Sequence, residues 1–278
     1  MKNMPLAQMA HAQVALFNVA LAGCIRPLRD VSARLITGWL RHSAKRWAAL
    51  SVAGLFSGLA AAATYTLPGT LPAGCSSASS TSVSCPNLSL NLGDNIVVSN
   101  ANLTLTVTNA LSIGGNNSIN TSGSVSGFAI QANSVSGGNG IFLIGNLNVS
   151  GSLILSGNSN NITGNVSAGG IASIGGTVTG KFTCSGALST QWASSITGDI
   201  SAGSIASGGG STYGGNLTAT SGDITSGSGD RISGSASATS GGVTLSSSGT
   251  SVGGNVVAKN AVVLQSGVSV AGSVTSTN

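Results

Sequence analysis

The chain has 278 residues, with 42 Gly, 5 Pro and only 5% charged residues. Average soluble domains carry about 25% charged residues, so an ordinary cytosolic globule is excluded, and a hydrophobic content of 41% excludes highly charged disorder. The formal charge of +5 is unevenly placed: residues 1–63 hold seven bases and one acid, whereas residues 64–278 hold three bases and four acids. No basic footprint for nucleic acid is therefore left beyond the first 63 residues. Both histidines, His11 and His42, also lie in that segment, and the chain contains no Glu. Most acid–base, triad and metal-centred chemistry is thereby removed from the rest of the chain.

In chain order, residues 1–40 read as an N-terminal extension or an over-called start. Arg26, Arg29 and Arg34 share a basic amphipathic pattern with Leu28, Val31, Leu35 and Ile36 that suits a membrane surface. Leu21-Ala22-Gly23-Cys24 resembles a lipobox. Residues 41–63 then read as a signal peptide. Lys45-Arg46 precede an uncharged run from Trp47 to Ala63 that closes in small residues, the layout of a secretory signal. Cleavage is expected at Ala61-x-Ala63, leaving Thr64 as the new N-terminus. A helical leader, membrane contact only through that leader, and an exported chain (periplasmic, outer-surface or secreted) follow as expectations.

Residues 64–92 are expected to form an N-terminal cap. Cys75 and Cys85 bracket a Ser/Thr-rich loop, and in an exported chain two such cysteines read as a disulfide.

Residues 93–278 contain no proline and are rich in Gly, Ser, Thr, Asn and Val or Ile. Proline is kept out of ladder-paired strands, so continuous sheet is expected. A unit Gly-x-apolar-x-Ala recurs at Gly164, Gly198, Gly215, Gly234 and Gly254, with Gly180-Lys-Phe-Thr between the first two. The last unit divides again, because Val256, Val262, Val268 and Val274 are evenly spaced, one per short alternating strand. Three such steps per unit describe a coil with three short strands and Gly/Ser/Asn corners. The fold class expected is all-β: a single-stranded parallel β-helix, right-handed, with about 17–20 residues per coil and nine or ten coils. Val166, Ile200, Leu217, Val256, Val262, Val268 and Val274 are its expected core, with Ile162, Ile171, Val178, Ile196 and Ile205 as further inward positions. A flexible linker would not space its apolar residues this regularly.

Few side chains could carry chemistry. Cys184 is odd by count, lacks a histidine base, and reads as a buried thiol. Asn116, Asn117, Asn139, Asn160, Asn161, Asn165, Asn216 and Asn255 fall at likely corners, where Asn suits turns and stacks between coils. Asp199 and Asp223 read as repeat-equivalent strand starts, and the four Asp beyond the leader form neither a calcium array nor a glycosidase pair. Thr104-Leu-Thr-Val-Thr108 is similar to the threonine arrays of ice-binding solenoids but does not recur in register. Trp192 and Tyr213 read as packing residues rather than a carbohydrate platform. No catalytic, metal or cofactor site is expected, and no cofactor.

Three segments, Thr64-Tyr-Thr-Leu-Pro-Gly69, Leu71-Pro-Ala-Gly-Cys75 and Cys85-Pro-Asn-Leu-Ser-Leu90, resemble the start of exported bacterial MshQ-like proteins. That family is associated by name with biogenesis of the mannose-sensitive haemagglutinin pilus. The resemblance covers roughly residues 60–278, and the repeat is also similar to that of bactofilin-type polymer-forming proteins. It implies a non-enzymatic exported β-solenoid, a surface or periplasmic spacer with adhesin or pilus associations, although the lectin-like and C-terminal domains of larger relatives have no counterpart here. A bactofilin-like polymer-forming scaffold is the alternative; a carbohydrate-active β-helix enzyme is disfavoured. The final Gly272-Ser-Val-Thr-Ser-Thr-Asn278 opens a coil with nothing to cover it. Uncovered strand edges template pairing with other chains, so self-association through the C-terminal coil is expected. A surface glycan or pilus partner is left unnamed.

Overall fold

The computed structural model describes residues 61–246 and 249–278. The extension at 1–40, the helical leader and all but the end of the signal segment lie outside the described residues. Within them the chain is a parallel β-solenoid of about ten turns. Its first face is an 11-stranded parallel sheet that starts with Thr64–Leu67 and Asn95–Val98 and ends with Ser251–Val252 and Ser269–Val270. The second face carries Val166–Ala168, Phe182–Cys184, Ile200–Ala202, Leu217–Ala219, Ala236–Ala238 and Val256–Ala258 in register. The third carries Leu153–Leu155, Ala172–Ile174, Ala187–Thr190 and Ser204–Ser207, and ends with Val262–Leu264. With strands ~4.8 Å apart, eleven rungs make a stack of about 48 Å.

Residues 64–92 do not stand apart as a cap; they are the first coil. Thr64–Leu67 begins the first face, Ser82–Cys85 pairs with Leu103–Ile113 on the second, and Leu88–Leu90 pairs with the same long strand on the third. The capping element is smaller: Ser76–Ser79 lies antiparallel on the outer edge of Ser82–Cys85. The Cys75–Cys85 bond, S–S 2.03 Å, closes this hairpin. The outer edge of Ser82–Cys85 is thereby paired by its own chain.

Each letter of the repeat motif has a structural meaning. The apolar residue and the Ala point inward: Val166, Ile200, Leu217 and Val256 are buried, as are Ala168, Ala202, Ala219 and Ala258. Cys184 occupies the Ala position of its coil, where burial pushes its thiol up. The residue between them faces out, because side chains alternate along a strand. The x position is a ladder. Asn146 Oδ1 accepts from the Asn165 N–H at 3.0 Å, and Asn165 Oδ1 accepts from the Lys181 N–H at 3.0 Å. The series resumes with Asp199 to Asn216, Asn216 to Ser235, Ser235 to Asn255 and Asn255 to Ser273, all at 2.9–3.0 Å. These links step 16 to 20 residues, one coil each. The opening glycines stack as a column: a Cβ on Gly198 would stand 2.5 Å from the Gly180 carbonyl oxygen. No side chain fits there.

The other corner asparagines also have structural work. Asn117 and Asn160 are buried and bond to backbone on both sides of a corner. Asn116 holds a turn at φ 49°, and Asn139 Oδ1 accepts from the Ser159 N–H.

Several expectations are corrected. Ile171 is 58% exposed, because the glycine corner at 169–170 shifts the alternation by one and puts Ala172 and Ile174 inside. Val268 lies in a corner, and Val270 continues the inward column of Val252. Val262 and Val268 are half-buried against the core. Val274 pairs with buried Val256 in register but is 44% exposed, since its rung has a neighbour on one side only. Asp199 and Asp223 are not equivalent. Asp199 precedes a second-face strand and bonds the Asn216 N–H, while Asp223 precedes a third-face strand and bonds the Gly242 N–H.

Candidate functional site

Two features stand out from the repetitive frame: an open groove along the second face and a polar cluster inside the stack.

The groove follows the outward residues of six consecutive rungs, Thr106, Gln131, Asn148, Ser167, Thr183 and Ser201, which are Cα partners in register. Its second wall is the corner toward the third face, with Thr108, Asn133, Ser150 and Ser185, and its floor is the backbone at Val107, Ala132, Val149 and Ala168, whose side chains point into the core. The first four of these rungs enclose about 500 Å³. Two long strands make the corner a bend rather than a turn. Leu103–Ile113 and Phe128–Gly137 run from the second face to the third, and their pairing slips between Val107 and Ala110. Such a bulge bends the strand locally. Farther on, Gly169 and Gly203 continue the corner without side chains; a Cβ there would meet the backbone of the preceding coil.

The lining is hydroxyl and amide throughout. Ser167 Oγ donates to Asn148 Oδ1 at 2.9 Å and Ser150 Oγ donates to Asn133 Oδ1 at 3.0 Å. Among the described residues, Thr106, Gln131, Thr183 and Ser201 spend no side-chain hydrogen bond on the fold. This contrasts with the Asx ladder beside them. Lys181 and Asp199 are the charged neighbours, both at the Ser201 end. Among the lining residues only the Cys184 thiol titrates, and its backbone-bonded Sγ is buried. The groove can offer hydrogen bonds from its two walls; its lining holds no acid–base pair.

The interior cluster is the opposite case. In three successive coils the inner row of the third face turns polar, from Thr190 to Ser207 to Ser226. Tyr213 Oη bonds Thr190 Oγ1 at 2.7 Å and donates to Ser207 Oγ at 2.8 Å. The buried Asp230 carboxylate accepts from the Ser211 and Gly227 N–H groups, both at 2.9 Å. Every buried side-chain polar atom among the described residues is partnered. Tyr213 is therefore core, while Trp192 is 60% exposed and lies over the Gly209-Gly210 turn, so the two aromatics form no shared platform.

Burial holds the Asp230 carboxyl above its ordinary value, against hydrogen bonds from Ser207, Ser211 and Gly227 that lower it. An acid whose folded pKa is raised binds its proton more tightly when folded. As pH climbs from the unfolded value through the folded one, the unfolded chain has already ionised and stability falls. Melting temperature is expected to drop across that window, and Asp230→Asn to flatten the drop. Asn117 and Asn160 fill equivalent corners with their amide NH2 on carbonyls, whereas both Asp230 oxygens accept from N–H groups, so the variant loses one of these bonds and melts lower at every pH, and only the slope is compared. Melting across mildly acidic to neutral pH checks this; a drop of the same size in the variant would contradict it.

The sequence located the Asp and aromatic residues but not their sorting, because inward and outward positions are settled by corner lengths. The groove was missed for the same reason. Its walls come from residues a full coil apart, and only the register aligns them. A second array was missed too: Asn161/Thr163, Thr177/Thr179 and Ser195/Thr197 stack on the first face, whereas Thr104 and Thr106 are followed by Ala129 and Gln131.

No protein-family model matches the chain, and no curated protein or solved structure matches it either.

Proposed function

We propose that this chain is an exported, non-enzymatic structural β-solenoid that serves as a stiff spacer at the cell surface or in the periplasm. The observation that carries the reading is where its polar side chains go. The Asx and Ser ladder, the corner amides and the buried Asp230 all join one coil to the next. Solenoid coils gain stability from such neighbour contacts, and a stack tied at every coil resists bending. The Cys75–Cys85 bridge supports an oxidising compartment. The resemblance of its first segments to MshQ-like proteins is what suggests a pilus or adhesin setting for this spacer. A right-handed coil belongs to the proposal, because parallel crossovers take that hand in nearly all sheets.

A second reading, a polymer-forming scaffold, draws on the similarity of the repeat to that of bactofilin-type proteins. Negative-stain microscopy separates the two. Single short rods at all concentrations support the spacer, long filaments the scaffold, and compact particles of neither shape would overturn both.

A further inference from the structure

We infer that the second-face groove is a binding site for an extended, neutral polysaccharide. Length comes first. Six rungs from Thr106 to Ser201 span about 24 Å at ~4.8 Å per rung, so the groove fits a polymer lying along the solenoid axis rather than a compact small molecule.

Chemistry selects the class. Asn133, Asn148 and Gln131 supply both donors and acceptors, and Thr106, Thr108, Ser150, Ser167, Thr183 and Ser201 supply hydroxyls that rotate to suit a partner. A polyol presents the same mixture of groups. An anionic polymer would meet no cation over the Thr106 to Ser167 stretch, where every lining side chain is uncharged. An extended peptide that adds as a strand needs an open sheet edge, and here the backbone is already paired to the coils above and below.

Two residues before each groove position, the ladder side chains Asn146, Asn165 and Asp199 bond within the protein. On the groove row Thr106, Gln131, Thr183 and Ser201 have no side-chain partner in the fold, as Ser173 and Ser189 have none on the third face, so they are open to a ligand, and it is the corner wall of Thr108, Asn133 and Ser150 that sets this face apart. The inference does not require the spacer reading, since a monomeric rod and a filament would present the same groove.

Affinity electrophoresis of the full chain through gels containing dextran, mannan or hydroxyethyl cellulose, with alginate and polygalacturonate as anionic comparisons, tests it. The expected result is retardation by at least one neutral polymer that persists at 0.5 M salt, roughly the range where exposed charge contacts are screened. The Gln131→Ala/Asn148→Ala double variant should weaken retardation about tenfold, while Ser173→Ala/Ser189→Ala on the third face should leave it unchanged. Circular dichroism confirms that both variants stay folded. Retardation by none of the neutral polymers, retardation only by the anionic ones, or equal binding by the groove and third-face variants would each overturn the inference.

Discussion

Ile200→Asp is expected to lower the melting temperature by on the order of 10 °C, whereas Val262→Asp should cost much less and Ser266→Asp almost nothing. Ile200 is buried between Phe182 and Leu217 in the middle of the stack. A carboxylate there has no partner, and an uncompensated buried charge costs roughly 3–5 kcal/mol. In a chain of this size each kcal/mol moves melting by about 2–4 °C. Val262 is only half-buried on the last rungs, so water reaches a charge placed there, and Ser266 is exposed in a corner. Because each coil leans on its neighbours, the Ile200 variant should also melt in two stages. Thermal melts followed by circular dichroism read all three. Equal losses at Ile200 and Ser266 would show that the register is wrong.

Gly198→Val should open the stack at a single coil. The glycine's position allows no Cβ: the nearest atoms are the Gly180 carbonyl oxygen at 2.5 Å, its carbon at 2.7 Å and the Lys181 nitrogen at 2.8 Å. All are backbone, so relief requires the two coils to separate, which breaks the 3.0 Å bond from the Gly198 N–H to Gly180 O. Overpacking of well-packed sites costs about 1–3 kcal/mol, and the lost ladder bond adds to that. Thr197→Val, one residue earlier and exposed, is the control and should be nearly silent. Limited proteolysis should find a new cleavage site near Gly198 in the first variant alone. Resistance equal to that of the parent protein would contradict the glycine column.

Much of this architecture is legible before any coordinates. Gly-x-apolar-x-Ala marks one face of every coil because each letter answers a different constraint: close backbone approach, a coil-to-coil hydrogen bond, and two inward side chains of fixed size. Those constraints repeat, so the motif does. The third face is less legible, because its inner row changes from Ile174 to Thr190, Ser207 and Ser226 and back to Leu245, which conceals the apolar period. Corners are the least legible. One glycine more or less moves Ile171 outside, and the long strands Leu103–Ile113 and Phe128–Gly137 cross a corner marked only by Asn109 and Asn133, with no glycine or proline to announce it. The groove depends on that crossing, which is why its lining could not be assembled from spacing.

Export of the chain is a proposal, and one measurement tests it together with the oxidised bridge that closes the first coil. The full chain is expressed in a bacterial host, the cells are fractionated, and the recovered protein is mapped by mass spectrometry without reduction. The account predicts protein outside the cytoplasm that begins at or beside Thr64, with Cys75 linked to Cys85 and Cys184 as a thiol. An intact N-terminus in the cytoplasmic fraction with Cys75 and Cys85 reduced would contradict it.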